Sequence, residues 1–362
     1  MYYNSTESLV NSSRLGELMK LMEFRDQLES VEKIIFIFIS IFTILGNTMV
    51  LVATWRERSL HQPNKYCIAC LAVADLLVGI FVAPLNVYRL NLDHETITAI
   101  SIHLCRFMVW IDTFALTASI YTLTFISFDR YRKIKNPALQ YRSRMTTFKS
   151  LKIVFLIWFI SSAVATYAAT PHSGSWGILA TGGRLCPSDV TKTKGFYTFL
   201  SVSAFCLPTL VILVMYSLIY VVVRKREKML QNGELGQTHN DQNQRRAFRK
   251  DVKVIRMLLI IVGVFILCWA PYFIYILLVY YNPNFVDMYS RSFSNLRQTL
   301  TTLLVIRTAL PYFNSLCNPI IYACLNKTYR KAFKNLLQRM MGPTSSRIRP
   351  LPNGIELHPV RT

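Results

Sequence analysis

Seven times along the chain, an apolar run reaches the roughly 20 residues that a helix needs to cross a hydrocarbon layer about 30 Å thick. The runs fall at 33–55, 66–88, 103–128, 149–170, 196–223, 254–281 and 299–325. They predict an all-α membrane protein, a bundle of seven transmembrane helices over 33–325 whose two ends lie on opposite sides of the bilayer. Residues 1–32 precede the bundle and 341–362 form a polar tail. Most connecting segments are short. The exception is 224–252, a Gln/Asn-rich polar stretch inside the bundle region that reads as a third cytoplasmic loop with a mobile middle.

Composition agrees with lipid as the solvent. Hydrophobic residues make up 52% of the chain and charged residues only 17%, with a mean hydropathy of +0.31. The net charge of +22 would suit nucleic acid, but the basic residues border the spans, where they meet anionic inner-leaflet lipid, so membrane lipid is the expected partner and nucleic acid is not. With the N-terminus outside, cytoplasmic segments hold roughly 26 Lys/Arg and outer ones roughly 9, which fixes the expected orientation. Asn4 and Asn11 begin Asn-x-Ser/Thr sequons and would then be extracellular glycosylation sites. The first 30 residues lack the basic start, apolar core and cleavage site of a signal peptide, so the first span is expected to direct its own insertion. No repeat of 20–50 residues marks a solenoid, and no phosphate loop, metal cluster or nucleophile constellation marks an enzyme.

Most of the eight cysteines lie inside apolar runs and read as small buried hydrophobes, including Cys67 and Cys70 of a lone C-x-x-C string. Cys105 and Cys186 differ, because the topology places both at the outer, oxidising end. They are the expected disulfide, tying the second outer loop to the start of the third helix.

Two carboxylates lie deep in the spans, Asp75 and Asp112. A charge at mid-bilayer costs a few kcal/mol, so such a residue faces the bundle interior and marks a functional-site candidate. On one helix, Asp112 sits about 10 Å below Cys105, and Arg130 lies about 27 Å beyond Asp112. That is the layout of a device with an outside input and an inside output. For Asp112, two readings stay open: a ligand counter-charge, or a structural carboxylate bonded to a neighbour, with Arg89 and Arg307 as competing cations. Asp75 shares its level with Asn47, Ser119, Asn314, Ser315 and Asn318, an oxygen-rich set that suits a monovalent cation such as sodium, or a polar packing network without an ion.

Taken together, GNTMV with Asn47, LAVAD with Asp75, Cys105, SFDRY at 127–131, Trp158, Pro208 with Tyr216, CWAP at 268–271 and NPIIY at 318–322 resemble the rhodopsin-like (class A) G-protein-coupled receptors. The resemblance spans about 33–340, with one marker set per helix in order. It implies a multi-pass plasma-membrane receptor, not an enzyme, that signals through a heterotrimeric G protein and is handled by arrestin and a receptor kinase. It implies no cofactor beyond an allosteric sodium ion at Asp75 and no other metal. By the same resemblance, Asp129 restrains Arg130 at rest, Asp251 is the acidic partner of an ionic lock where Glu is usual in amine receptors, and Arg130 turns toward Tyr216 and Tyr322 on activation. Tyr131 completes the motif; Ile120, Pro208 and Phe265 form the core switch beneath the ligand. The segment 326–340 resembles an amphipathic eighth helix with Phe333 and Leu336 or Leu337 toward lipid.

Within that family, Asp112 occupies the place of the aspartate that pairs with the ammonium of biogenic amines, and FILCWAPYFI and PYFNSLCNP look most like the histamine and muscarinic branch. The implied pocket joins Asp112, Thr113 and Leu116 with Leu200, Ser201 and Ala204 on the fifth helix, Trp269, Tyr272 and Phe273 on the sixth and Tyr312 on the seventh. The ligand is then a small cationic amine, held by charge and by aromatic faces. The fifth-helix end departs from the family: Leu200 and Ala204 replace polar groups, and Ala309 replaces a Trp one turn outside Tyr312. A peptide or other non-amine receptor of the same family is the nearest alternative. A channel or ion-coupled transporter is a remote one.

Overall fold

The computed structural model describes residues 2–57, 65–92, 101–135, 147–175, 177, 190–231, 239–282 and 293–341, and apart from short connections these are helical. Side chains before Leu15 and those of 231–251 lie outside the description. Helix α1 is Tyr2–Arg56. Helix α2 joins Lys65–Leu77, a π-helical turn at Val78–Val82 and Ala83–Leu90. Helices α3 and α4 are Ile102–Lys135 and Thr147–Ala169. Helix α5 joins Val190–Leu200, a π turn at Ser201–Cys206 and Leu207–Gln231, and α6 is His239–Tyr281. Helix α7 joins Phe293–Leu304, a π turn at Val305–Ala309 and Leu310–Leu325. Helix α8 is Lys327–Met341.

Six of these helices are long and apolar enough to span a bilayer. Helix α7 falls short only because Arg307, Asn314, Asn318, Pro311 and Pro319 interrupt its apolar run. Helix α3 is the hub: 78% of its apolar window is buried, against 22% for α4 and α5. The outward faces of the others carry large apolar side chains such as Phe155, Leu210 and Leu267, as lipid rather than water requires. The ends differ from the hydropathy boundaries. Helix α1 begins far before residue 33, because the polar stretch 15–32 is rich in Leu, Met and Glu, lacks an interrupting Pro, and adds an i,i+4 pair between Arg25 and Glu29 at 3.7 Å. Helices α5 and α6 likewise run into the expected loop 224–252 from both sides.

Each π turn has a proline cause. Proline lacks an N–H, and its ring crowds the carbonyl four residues earlier. That carbonyl belongs to Ile80 for Pro84, Ala204 for Pro208 and Arg307 for Pro311, and each lies within a π turn. Pro319 instead sits inside regular α-helix, and its freed carbonyl is that of Ser315. Asn47 Nδ2 donates to this Ser315 carbonyl at 3.2 Å and to the Thr43 carbonyl at 3.0 Å. The close approach depends on Gly46, where an added Cβ would lie 2.9 Å from Pro319 Cβ and Cγ.

Helix α8 closes the inner end of the bundle. The Tyr329 hydroxyl shares a 2.7 Å hydrogen bond with Thr54 Oγ1, and its ring stacks on Tyr322 at 5.2 Å. Burial pushes the Tyr329 phenol above the ordinary tyrosine value, which keeps its proton available for that bond. Phe333 is 8% exposed and meets Tyr329 edge to face. It faces the bundle, a correction to its expected lipid orientation, because the Tyr329 ring offers it an aromatic partner one turn away. Leu337 is exposed on α8.

Overpacking at the α1–α7 contact is expected to cost roughly 1–3 kcal/mol. Gly46→Ala should therefore lower the apparent Tm of detergent-solubilised protein. Gly263→Ala, whose Cβ would meet nothing within 4 Å, should leave it unchanged or raise it.

Candidate functional site

Asp112 is 3% exposed on the inward face of α3. It lines a narrow cavity with Asp75, Leu116, Ser119, Trp269, Tyr312, Asn314 and Ser315, whose volume of about 20 Å³ admits a water-sized body. Tyr312 and Tyr272 are buried within electrostatic range of the Asp112 carboxylate. Aromatic rings build the α6 wall: Trp269 lies 6.1 Å from Tyr272 and 6.0 Å from Phe273, and Phe273 stacks on Phe205 of α5 at 4.7 Å. The Thr113 hydroxyl and the Trp269 indole N–H are buried without hydrogen-bond partners among the described residues.

The expected α5 wall is apolar. Leu200 and Ala204 are buried, and Ser201 donates to the Tyr197 carbonyl of its own helix at 2.7 Å. Ser203 similarly donates to the Phe199 carbonyl at 2.7 Å. Neither serine turns a free hydroxyl donor toward Asp112.

On the opposite side, a polar chain missing from the sequence reading connects three helices. Asn86 Nδ2 donates to the Tyr312 hydroxyl at 2.9 Å, and Asn86 Oδ1 accepts from Arg89 Nε at 3.3 Å. Arg89 pairs with Glu32 of α1 at 3.9 Å, and Glu32 also accepts from Thr308 of α7 at 3.1 Å. The Phe36 ring meets Tyr312 edge to face at 4.9 Å. Arg89 is thus engaged with Glu32 rather than competing for Asp112. The overlooked signal was Asn86 itself, an amide inside the apolar stretch APLNVYRL.

Deeper in the bundle, Asp75 Oδ2 accepts from Asn318 Nδ2 at 2.8 Å, and the Ser315 hydroxyl also reaches the carboxylate. Ser119 Oγ and Asn47 Oδ1 are buried nearby without partners. This carboxylate, hydroxyl and amide oxygen set fits a small hard cation. Between α2 and α4, Cys70 accepts from Trp158 Nε1 at 2.7 Å and hydrogen-bonds with Thr122; neither Cys67 nor Cys70 is in a disulfide.

Near the end of α3, Asp129 is 6% exposed. Arg130 Nε is buried without a partner, and the guanidinium lies within electrostatic range of Tyr216, beside Ser127. Tyr322 is held on Tyr329, and Tyr131 receives Lys135 over its ring at 5.6 Å. Ile120, Pro208 and Phe265 are buried in the core beneath the aromatic wall. The side chains of Asp251, Asn4 and Asn11 lie outside the described residues. Cys105 is buried and disulfide-bonded, while Cys186 lies outside the description.

A family model described as "7 transmembrane receptor (rhodopsin family)" matches residues 46–322. The chain is 30% identical over 328 residues to the alpha-1A adrenergic receptor of Oryzias latipes, covering 82% of this chain and 64% of that protein. Against the same receptor of Mus musculus, it is 29% identical over 331 residues, or 82% and 66% of the two chains. Against 5-hydroxytryptamine receptor 7 of Xenopus laevis, it is 29% identical over 354 residues, or 88% and 79%. The chain thus spans a little under two thirds of the length of these adrenergic relatives.

Asn86→Leu would leave Arg89 and Tyr312 each short of a partner, at an expected cost of about 1–3 kcal/mol. Tyr312→Phe removes one hydroxyl and leaves Asn86 Nδ2 its bond to the Val82 carbonyl at 2.8 Å, so it should cost less, about 1 kcal/mol. Thermal denaturation of the two purified variants checks the order.

Proposed function

Because this chain belongs to the rhodopsin family of seven-transmembrane receptors, we propose that it is a plasma-membrane receptor with an extracellular N-terminus that binds a small protonated amine at Asp112 and activates a heterotrimeric G protein. The observation that carries this reading is Asp112 itself, a carboxylate 3% exposed on a cavity shared with Tyr312 and Trp269. A buried ammonium recovers its desolvation cost only against a full counter-charge with good hydrogen bonds, which Asp112 and the Tyr312 hydroxyl supply. Trp269, Tyr272 and Phe273 offer ring faces to the cation and its substituent. The names of the relatives, adrenergic and 5-hydroxytryptamine receptors, support an amine over a peptide.

Transmission follows from what the ligand touches. Displacing Trp269 moves α6 at Pro271, where the helix already lacks one backbone hydrogen bond. The buried core at Ile120, Pro208 and Phe265 lies below and repacks with it. Arg130, within electrostatic range of Tyr216, is then a contact for the G-protein element entering between the inner ends of α3, α5 and α6, with the Asp251 lock opposing that entry. Arrestin and a receptor kinase would use the same inner face. At Asp75, the oxygens of Ser119, Ser315 and Asn47 would hold a sodium ion that supplies positive charge between α2, α3 and α7 and favours the resting arrangement. The Cys105–Cys186 bond would hold the second outer loop over the pocket, with glycans at Asn4 and Asn11 beyond it.

A panel of biogenic amines on cells expressing wild type or Asp112→Asn tests the ligand class. Amine-evoked signalling should be lost in the variant at equal surface expression; undiminished potency would exclude ammonium pairing. Sodium should weaken agonist binding in the wild type and lose that effect in Asp75→Asn. Equal sodium sensitivity in both would remove the ion site.

A further inference from the structure

Behind the cavity wall, three hydrogen bonds fix which way one amide faces. Asn86 of α2 is 1% exposed, and Val82 and Arg89 stand four residues before it and three after it, on the same face of the helix. Its Nδ2 donates to the Val82 carbonyl at 2.8 Å and to the Tyr312 hydroxyl at 2.9 Å, while its Oδ1 accepts from Arg89 Nε at 3.3 Å. A carbonyl can only accept, and a guanidinium can only donate. Turning the amide over would set Oδ1 against the Val82 carbonyl and the NH2 group against Arg89, so both neighbours hold it as it stands. Glu32 holds Arg89 in turn, at 3.9 Å.

The direction of that amide decides the direction of a proton. A tyrosine hydroxyl has one O–H to give, and opposite an NH2 group the Tyr312 oxygen must accept. The Asn86 bond is the one hydrogen bond of the Tyr312 side chain among the described residues, and the Phe36 ring packed against it at 4.9 Å carries no oxygen or nitrogen to take the proton. The proton is therefore left to the cavity that Tyr312 lines together with Asp112. Two carboxylates border that cavity. Asp75 accepts from Asn318 at 2.8 Å; Asp112 is the one within electrostatic range of the Tyr312 phenol. A carboxylate has about four lone-pair positions, enough for a phenol and an ammonium together.

We propose that Asn86 is a positioning residue of the amine site: by donating to the Tyr312 oxygen, it commits the Tyr312 proton to the Asp112 carboxylate. This rests on the reading of Asp112 as an ammonium counter-charge. A proton donor beside that carboxylate lowers the cost of keeping it charged in a dry cavity, as an ammonium ligand requires. An acceptor in place of the amide would reverse the arrangement. Tyr312 would then give its proton to residue 86 and turn only lone pairs toward Asp112, so that two acceptors would face each other.

Asn86→Asp makes that reversal with almost no change of size. Phenethylamine, tryptamine and histamine serve as probes, read by nucleotide exchange on a panel of G proteins at matched surface expression, and the one most potent on the wild type is carried forward. Asn86→Asp should cost that amine about 10-fold or more in potency, although it adds a negative charge near a cation site. Asn86→Glu, a second acceptor-only variant, stands in if Asn86→Asp does not reach the surface. Asn86→Leu removes more hydrogen bonds but takes no proton, so it should cost less potency than Asn86→Asp; a merely structural asparagine would give the opposite order. In a Tyr312→Phe background, Asn86→Asp should change potency by less than about 2-fold, since no proton is left to redirect. Unchanged or higher potency in Asn86→Asp, a larger loss in Asn86→Leu, or an undiminished loss in the Tyr312→Phe background overturns the proposal. Asp112→Asn keeps the two claims apart. If the amine keeps its potency there, or none of the three acts on the wild type, the amine reading fails and this inference with it; if Asp112→Asn abolishes the response while Asn86→Asp leaves it intact, only the role of Asn86 fails.

Discussion

Lipid offers no hydrogen bonds, so every polar group inside this bundle must find its partner in the bundle itself. Hydroxyls at Thr117, Thr122 and Ser127 satisfy themselves on carbonyls one turn back in α3. Asn47 reaches across to the carbonyl that Pro319 releases. Against that background, the buried groups left without partners are informative. Ser119 Oγ and Trp269 Nε1, without partners among the described residues, belong to residues that line the cavity shared by the two deep carboxylates.

The same constraint couples the outer and inner halves of the bundle. Tyr312 is tied by Asn86 and Arg89 to Glu32 on α1, while three residues further along α7 Ser315 accepts from Asn47, also on α1. Helix α1 therefore grips α7 at two levels, above and below Gly46. A third grip comes from Thr54 through Tyr329 of α8. Movement of α7 at its prolines has to be accommodated by a helix that contributes no residue to the aromatic wall.

Much of this was legible in the sequence because charge in an apolar run has few explanations. Asp75, Asp112 and the seven spans stood out for that reason, and Asp75, Asp112, Tyr312 and Trp269 line one cavity. What was not legible had physical causes. Hydropathy cannot register a helix that continues into water, so the first half of α1, with Glu32 on it, carries no mark of a wall in the sequence. A hydrogen-bond chain such as Glu32–Arg89–Asn86–Tyr312 joins residues up to 280 positions apart and has no local signature. The direction of Phe333 relative to lipid depends on helix phase and on neighbours that a linear motif does not contain.

Helix phase has a further consequence at the three π turns. A π turn accommodates about one more residue than the α-helix around it, so every side chain beyond it is rotated by about 100° relative to an uninterrupted helix. In α5 and α7 these turns stand at Ser201–Cys206 and Val305–Ala309, between the membrane-embedded core and the outer rim. Loss or gain of a single codon there would be absorbed locally. The inner halves would keep their packing while the rim turned a different set of side chains inward, so the receptor core and its chemical vocabulary at the mouth are free to evolve on separate schedules.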